Sequence, residues 1–192
     1  MIKAIILAAG RGSRLKNHFK LPKCLIKLGT NKQTLLELSY INLIRSKIKN
    51  IYVITGYKSF EIQKRFKDKV KYLKFKNYKK TNNLQTLLFA KKLLNSSLIC
   101  LFADIIYDRN IINKLKINNK KICLAIDTSN VLEGTMRVII KKDKIIKIGS
   151  HIPVSEGMGN FIGIAKFSKN GALLIKKYLI KEKNNNKEYY TY

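Results

Sequence analysis

Three short runs, apolar almost throughout, limit the folds open to this chain. They are residues 2–7 (IKAIIL), 51–55 (IYVIT) and 98–103 (LICLFA). A strand with one wet face alternates apolar and polar residues, whereas a strand apolar at every position is covered on both sides. Helical patterns lie between and beyond them. Residues 34–47 (TLLELSYINLIRSK) place apolar side chains at helical spacing, with Thr34 at the N-cap and Glu37 at N3. Ser59–Phe66 and residues 83–94 read as further helices, and 110–115 as one or two helical turns. Residues 70–75 and Ile122–Asp127 add strands. This βαβαβ rhythm predicts a parallel sheet with helices on both faces.

The texture changes after Asp127. Residues 136–149 (MRVIIKKDKIIKIG) read as two strands about a Lys-Asp-Lys turn, an antiparallel ribbon. Residues 160–168 read as a strand and 169–181 as a helix. The predicted class is α/β, a three-layer α/β/α Rossmann-like fold with a mostly parallel central sheet and a small antiparallel ribbon. Residues 1–192 form one domain, which suits the chain's size.

Charge and cysteine usage bound the function. Lys and Arg number 40 against 11 Asp and Glu, a formal net charge of +29. Only six of the 40 are arginines, and the lysines run the whole length of the chain among Asn and Ile. That pattern reads as lysine-rich solvated faces that attract anionic small molecules and, non-specifically, polyanions. A specific nucleic-acid binder more often interleaves Arg with aromatics. Cys24, Cys100 and Cys123 are scattered in apolar contexts. They make neither a disulfide framework nor a metal-ligand spacing, and read as reduced, buried thiols of a cytoplasmic protein. Lys23 beside Cys24 is the one feature favouring a thiolate. No apolar run approaches the ~20 residues that span a bilayer, so no membrane insertion is expected. The first strand runs into Gly and Arg, unlike a signal peptide.

That first strand ends in AAGRGSRL. A glycine-rich turn after the first strand of an α/β fold lets backbone N–H groups approach a phosphate. The turn lacks the Gly-Lys-Ser/Thr of a Walker A loop, and Leu15 replaces the third glycine or alanine of the dinucleotide fingerprint. What remains is Gly10-x-Gly12-x-Arg14 followed by Pro22-Lys23. Amides near residues 9–13 can cradle a triphosphate. Arg14 and Lys23 bring two cations to the α-phosphate, where charge grows as pyrophosphate leaves. Pro22 fixes the backbone that aims Lys23.

AIILAAGRGSRL and LPKCLI together resemble the signature of the nucleotidyltransferases that activate sugar phosphates and small phospho-alcohols or phosphonates. The resemblance covers nearly the whole chain. It implies Arg14 and Lys23 as catalytic residues. It also implies that Leu7, Ala8, Ala9, Gly10, Arg11, Gly12 and Ser13 contact the nucleotide. Gly56-Tyr57 matches a Gly-Tyr element after the second strand, adding Gly56. TNNLQTLLFA resembles the segment that opens a helix beside the base, adding Asn82, Asn83 and Thr86; helix N-capping is the competing role for either Asn. Asp104, ending an apolar strand, is the implied Mg²⁺ ligand, with a turn or cap as its competing role. The family usually has Gly-Asp there, and this chain has Ala103-Asp104. Asp108 is a weaker neighbour.

The later segment, from Asp127 to the 160–168 strand, resembles the cytidylyltransferases acting on phosphocholine-like and phosphonate substrates. Asp127, Arg137 and Asn160 are the implied acceptor contacts, with sheet packing as the alternative. Arg137 replaces a Lys of that branch, Ser150 stands where another Lys recurs, and Asn160 holds a position often acidic. The implied partners are CTP, or another NTP, and a small phosphorylated or phosphonate acceptor, with Mg²⁺ as cofactor. No protein nucleophile is required, so His18 and His151 need not act as bases. Three alternatives remain open: a sugar-1-phosphate nucleotidyltransferase using UTP or dTTP, a non-catalytic nucleotide-binding chain, and a basic nucleic-acid-binding protein. The family pattern continues into a helix and a strand with a second metal-binding aspartate, whereas the sequence stops at KEYYTY. The expectation is a truncated chain, or one in which Asp108 or Glu156 takes the second metal position. The oligomeric state is open.

Overall fold

The computed structural model describes residues 1–12, 20–30, 32–80 and 82–184. In chain order the strands and helices are β1 Lys3–Ala8, β2 Lys27–Leu28, β3 Gln33–Thr34, α1 Leu35–Arg45, β4 Asn50–Thr55, α2 Ser59–Phe66, β5 Lys71–Lys74, α3 Asn83–Phe89, β6 Leu98–Phe102, α4 Arg109–Ile117, β7 Ile122–Asp127, β8 Arg137–Lys141, β9 Lys144–Gly149, β10 Asn160–Phe167 and α5 Lys169–Asn184. Eight strands make one sheet in the order β5-β4-β1-β6-β10-β8-β9, with β7 also paired to β10.

The continuous apolar strands lie where double-sided burial requires them. β1 sits between β4 and β6, parallel to both. Ala4 and Ile6 pack with α1, α2 and α4 on one face, and Ile5 and Leu7 with α3 and α5 on the other. All of Ala4, Ile5 and Ile6 are fully buried. The parallel expectation stops at β6. β10 is antiparallel to β6 and separates it from β7, which pairs antiparallel with β10. β7 is half-buried at its four central residues and exposed at both ends. It is therefore not the doubly covered strand that ICLAID suggests; β10 is its one partner among the described strands.

Local chemistry explains most element ends. Thr34 and Glu37 form the expected capping box: the Thr34 hydroxyl accepts from Glu37 N–H (3.2 Å), and Glu37 accepts from Thr34 N–H (2.8 Å). Arg65 on α2 grips the same carboxylate through two nitrogens, each at 2.9 Å. α4 runs longer at both ends than 110–115, and its start is set by the Asp108 carboxylate, which caps Asn110 N–H (2.7 Å). The helix expected over 83–94 breaks after Phe89 into a tight 3-10 turn, Lys91–Leu93, which buries both Ala90 and Leu94. The short β2–β3 pair went unanticipated; two-residue strands carry no periodicity.

Some lysines are structural. Lys166 on β10 is buried and donates to the carbonyls of Asn118 and Lys120 just past α4. Lys116 donates to the Ser46 carbonyl at the end of α1 (2.7 Å). Both place a cation on carbonyls at or just beyond a helix C-terminus.

Candidate active site

Four strand ends meet at one edge of the sheet. β1, β4 and β6 run parallel, so Ala8, Thr55 and Phe102 finish together. β10 runs the other way, so its first residue, Asn160, lies on this same edge. In open α/β sheets, this edge is where ligands bind.

The turn after β1 depends on its glycines. Gly12 has φ +63°, and a Cβ there would lie 2.7 Å from Lys23 Cγ. Glycine adopts this backbone without strain and leaves room for the lysine stem. Gly56, after β4, is closed in likewise: a Cβ would lie 2.6 Å from the Ala9 carbonyl oxygen and 2.8 Å from the Tyr78 side chain. Lys23 opens a 3-10 turn, Lys23–Leu25, directly after Pro22 with its φ of −55°. Leu25 N–H donates to the Pro22 carbonyl (2.8 Å) and Ile26 N–H to the Lys23 carbonyl (3.0 Å). Proline's fixed φ and this tight turn together orient the lysine.

Asp104 lies two residues past β6. The pairing of Leu7 with Phe102 carries it to the level of Ala9. Lys23 Nζ approaches Asp104 Oδ2 to 3.7 Å, with the two side chains 31% and 45% exposed. Around this pair an open cleft is lined by Leu7, Ala8, Gly10, Gly12, Asn83 and Ala103, among others. A cation and a carboxylate thus share the floor of a site rimmed by backbone.

Seven of the sequence-predicted residues converge here, and several others do not. Leu7, Ala8, Gly10, Gly12, Lys23, Asn83 and Asp104 line the cleft. Ala9 is buried, its carbonyl accepting from Tyr57 N–H (3.1 Å). Arg11 lies over the Tyr57 ring, its guanidinium carbon 5.8 Å from the centroid. Asn82 caps α3, accepting from Gln85 N–H (3.0 Å), so the capping role is observed. Thr86 is buried, and its hydroxyl donates to the Asn82 carbonyl (2.9 Å), which turns it away from a ligand-facing role. Ser13, Arg14 and His18 lie outside the described residues. Asp108 is the α4 cap rather than a second cleft carboxylate.

Cys24 also lines the cleft, but its thiol is pushed up to about 12 by burial and by the Asp104 charge, against a backbone hydrogen bond that lowers it. Lys23 is not among the groups that shift it. Sequence reasoning overlooked Phe102, and named Tyr57 only as part of the Gly-Tyr element without giving it a role. Phe102 lines the cleft because the last residue of a buried strand faces open space. Tyr57 follows Gly56 directly, and an aromatic closing a Gly turn was the available signal.

The family model for nucleotidyl transferases matches residues 3–134, which contain the glycine turn, Lys23, the Gly-Tyr element and Asp104. The chain belongs to the nucleotidyl transferase family. Two Campylobacter jejuni proteins are similar to this nucleotidyl transferase. A D-glycero-α-D-manno-heptose 1-phosphate guanylyltransferase is 29% identical over 185 residues, 87% of this chain and 82% of the other. A CTP:phosphoglutamine cytidylyltransferase is 28% identical over 188 residues, 87% of this chain and 73% of the other. The fold matches that of CTP:phosphocholine cytidylyltransferase from Streptococcus pneumoniae with TM-score 0.71 at 22% identity, over 96% of this chain and 78% of that one.

The three acceptor candidates of this nucleotidyl transferase occupy the far end of the same edge, in internal roles. Arg137 is buried, and its guanidinium donates to the carbonyls of Leu132 (3.0 Å), Ser150 and Ile152. Asn160 is buried; its oxygen accepts from Leu132 N–H (3.1 Å) and the Thr135 hydroxyl (2.8 Å), and its amide donates to the Asn130 carbonyl. Both therefore brace the loops rather than present free groups. Asp127 is exposed and closes a turn on Ser129, accepting from its hydroxyl (2.7 Å) and N–H (2.9 Å), which holds its carboxyl below the ordinary range.

Proposed function

We propose that this nucleotidyl transferase moves a cytidylyl group from CTP to a small phosphate or phosphonate acceptor, releasing pyrophosphate. The observation that carries the chemistry is the Lys23 ammonium 3.7 Å from the Asp104 carboxylate, over the glycine turn. Backbone N–H groups of the turn hold the triphosphate. Lys23 neutralises charge building on the α-phosphate and its leaving oxygens. An oxygen of the acceptor's own phosphate or phosphonate forms the new bond to the α-phosphorus as the bond to pyrophosphate breaks. The acceptor is already an anion, so no side chain need take a proton, and catalysis is positioning plus charge stabilisation.

The site's chemistry suits Mg²⁺. Asp104 is a hard oxygen donor, 45% exposed in the cleft. No cluster of three His, Cys, Asp or Glu that could hold a metal occurs among the described residues. One carboxylate matches a cation that keeps its waters and takes its other ligands from substrate phosphates. Asp104 would hold it, and the ion would supply positive charge to the substrate phosphates. The acceptor belongs on the β10 and β7 side of the same sheet edge, near the loops that Arg137 and Asn160 brace.

The cytidylyl preference is supported by the similarity to the phosphoglutamine cytidylyltransferase and by the segment from Asp127 to β10. A second reading, guanylyl transfer to a sugar 1-phosphate, is supported by the equally similar heptose 1-phosphate guanylyltransferase. Pyrophosphate release with CTP, GTP, UTP, ATP and dTTP, each against amino-alcohol phosphates, a phosphonate, phosphoglutamine and sugar 1-phosphates, separates them. Acceptor-dependent release with CTP supports the first; release with GTP and a sugar phosphate replaces it with the second.

A further inference from the structure

We infer that Asn42 on α1 is a positioning residue for Asp104: its side chain ties the loop that carries this carboxylate to the same helix on which the Lys23 turn rests. The inference rests on the reading that Lys23 and Asp104 act together on the substrate phosphates. Asp104 lies in the loop of residues 103–108, between β6 and α4. Pairing of β6 with β1 holds the chain before this loop, and the Asp108 cap holds it after. In between, α1 grips it twice. The Asn42 side-chain amide donates to the Tyr107 carbonyl (3.2 Å), and the Tyr107 hydroxyl donates to the Ser39 carbonyl (3.5 Å). The loop alternates in burial: Ala103, Ile105 and Tyr107 pack into the core beside α1, while Asp104, Ile106 and Asp108 are exposed. Holding Tyr107 in its seat therefore keeps Asp104 turned outward.

The start of α1 supports Lys23. Leu35 N–H, in the first turn of the helix, donates to the Ile26 carbonyl (3.2 Å), directly after the Lys23–Leu25 turn. Cys24 and Leu25 of that turn are buried in one cluster with Leu36 and Leu43 of α1. The two groups that meet at 3.7 Å come from distant parts of the chain, and one rigid helix carries the supports of both. A charge pair held at a fixed spacing before substrate arrives costs no reorganisation during reaction. Asn42 does not line the cleft. Its effect therefore reaches the substrate only through the loop that bears Asp104.

The test compares the wild-type chain with Asn42→Leu, Asn42→Gln and Lys116→Met. Asn42→Leu keeps the volume and removes the donor, whereas Asn42→Gln retains a donor on a longer stem. Lys116→Met is the control: Lys116 of α4 donates to the Ser46 carbonyl (2.7 Å), so its loss loosens α1 from α4 at the C-terminal ends of both helices. The first measurement is limited chymotrypsin digestion without ligand, with mass spectrometry for cleavage after Tyr107. The ring must leave its seat to be cut, so the rate reads the tether whatever the reaction. Asn42→Leu should be cut there about tenfold faster, since the Tyr107 carbonyl loses its donor, and Lys116→Met at the wild-type rate. The second is pyrophosphate release with Mg²⁺, nucleotide and acceptor varied separately. Asn42→Leu should raise the half-saturating Mg²⁺ concentration about tenfold and leave the acceptor KM unchanged, with partial rescue in Asn42→Gln and no change in Lys116→Met. Wild-type cutting after Tyr107 in Asn42→Leu overturns the tether. Faster cutting with the wild-type Mg²⁺ dependence, or an equal Mg²⁺ effect in Lys116→Met, makes Asn42 merely structural and also overturns the inference. A wild-type chain that releases no pyrophosphate from any nucleotide sinks the proposed reaction, while the digestion still decides the tether.

Discussion

Gly12→Ala should separate catalysis from stability. At φ +63° an alanine adopts a left-handed backbone, which costs ~1–2 kcal/mol. Its Cβ would also stand 2.7, 3.1 and 3.0 Å from Cγ, Cδ and Cε of Lys23. The obstruction is the stem of the lysine, not its flexible tip, so the ammonium must move with it. A misplacement on the order of 1 Å at a charge-stabilising group costs roughly 100-fold in rate. Gly29→Ala is the control. Gly29, beside the β2–β3 pair and away from the cleft, has φ +55° with nothing within 4 Å of its Cβ position, so it carries the backbone cost alone. Urea unfolding should show a loss in both variants, the larger one in Gly12→Ala. Pyrophosphate release should fall by roughly 100-fold in Gly12→Ala and stay near wild type in Gly29→Ala. Equal activity in the two variants would refute the claim that Gly12 places Lys23.

Arg137→Met should cost about 3 kcal/mol in urea unfolding, because the carbonyls of Leu132, Ser150 and Ile152 lose their donor while the side chain's volume is kept; a loss near zero would mean water replaces the guanidinium. Burial raises the Glu37 carboxyl, but the Arg65 guanidinium and the Thr34 N–H and hydroxyl outweigh it and hold it below its ordinary 4.5. The Glu37 contribution is therefore complete above pH 4.5 and lost as pH falls through the lower folded value. Glu37→Gln should destabilise by up to ~1 kcal/mol at neutral pH, a figure kept small by the pair's exposure, and the gap should close in acid. The Cys24 and Cys100 thiols, both pushed up to about 12, should resist alkylation at pH 8 in the native chain, while half-exposed Cys123 reacts first; native labelling of Cys24 at the rate of Cys123 would contradict the buried placement.

The legible parts of this chain were those fixed by local patterns. Double-sided burial of β1, β4 and β6 follows from apolar residues at both parities, and the α1 cap from Thr34 and Glu37. The meeting of Lys23 with Asp104 also follows once three parallel strand ends share an edge. The insertion of antiparallel β10 between β6 and β7 was not legible, because ICLAID and LICLF look alike and pairing order is a long-range property. The reading of Arg137 and Asn160 as acceptor contacts comes only through the resemblance of the 127–168 segment to a cytidylyltransferase branch, with sheet packing as the alternative. Nothing local shows that surrounding loops bring carbonyls and N–H groups to satisfy them. Asn82 and Asp108 illustrate the converse: a polar residue opening a helix was more economically a cap. The lysine excess hid Lys166, the one buried lysine among the described residues, which composition could not distinguish from solvated ones.

The most direct test of the central claim is pyrophosphate release with CTP, Mg²⁺ and the best acceptor, measured for the wild-type chain, Lys23→Ala and Asp104→Ala, with CTP binding followed in parallel. The result expected is acceptor-dependent release in the wild type and its loss in both variants, each remaining folded. Release that survives both substitutions, or a wild-type chain that neither releases pyrophosphate nor binds CTP, would contradict the assignment of the Lys23–Asp104 cleft as the site of cytidylyl transfer.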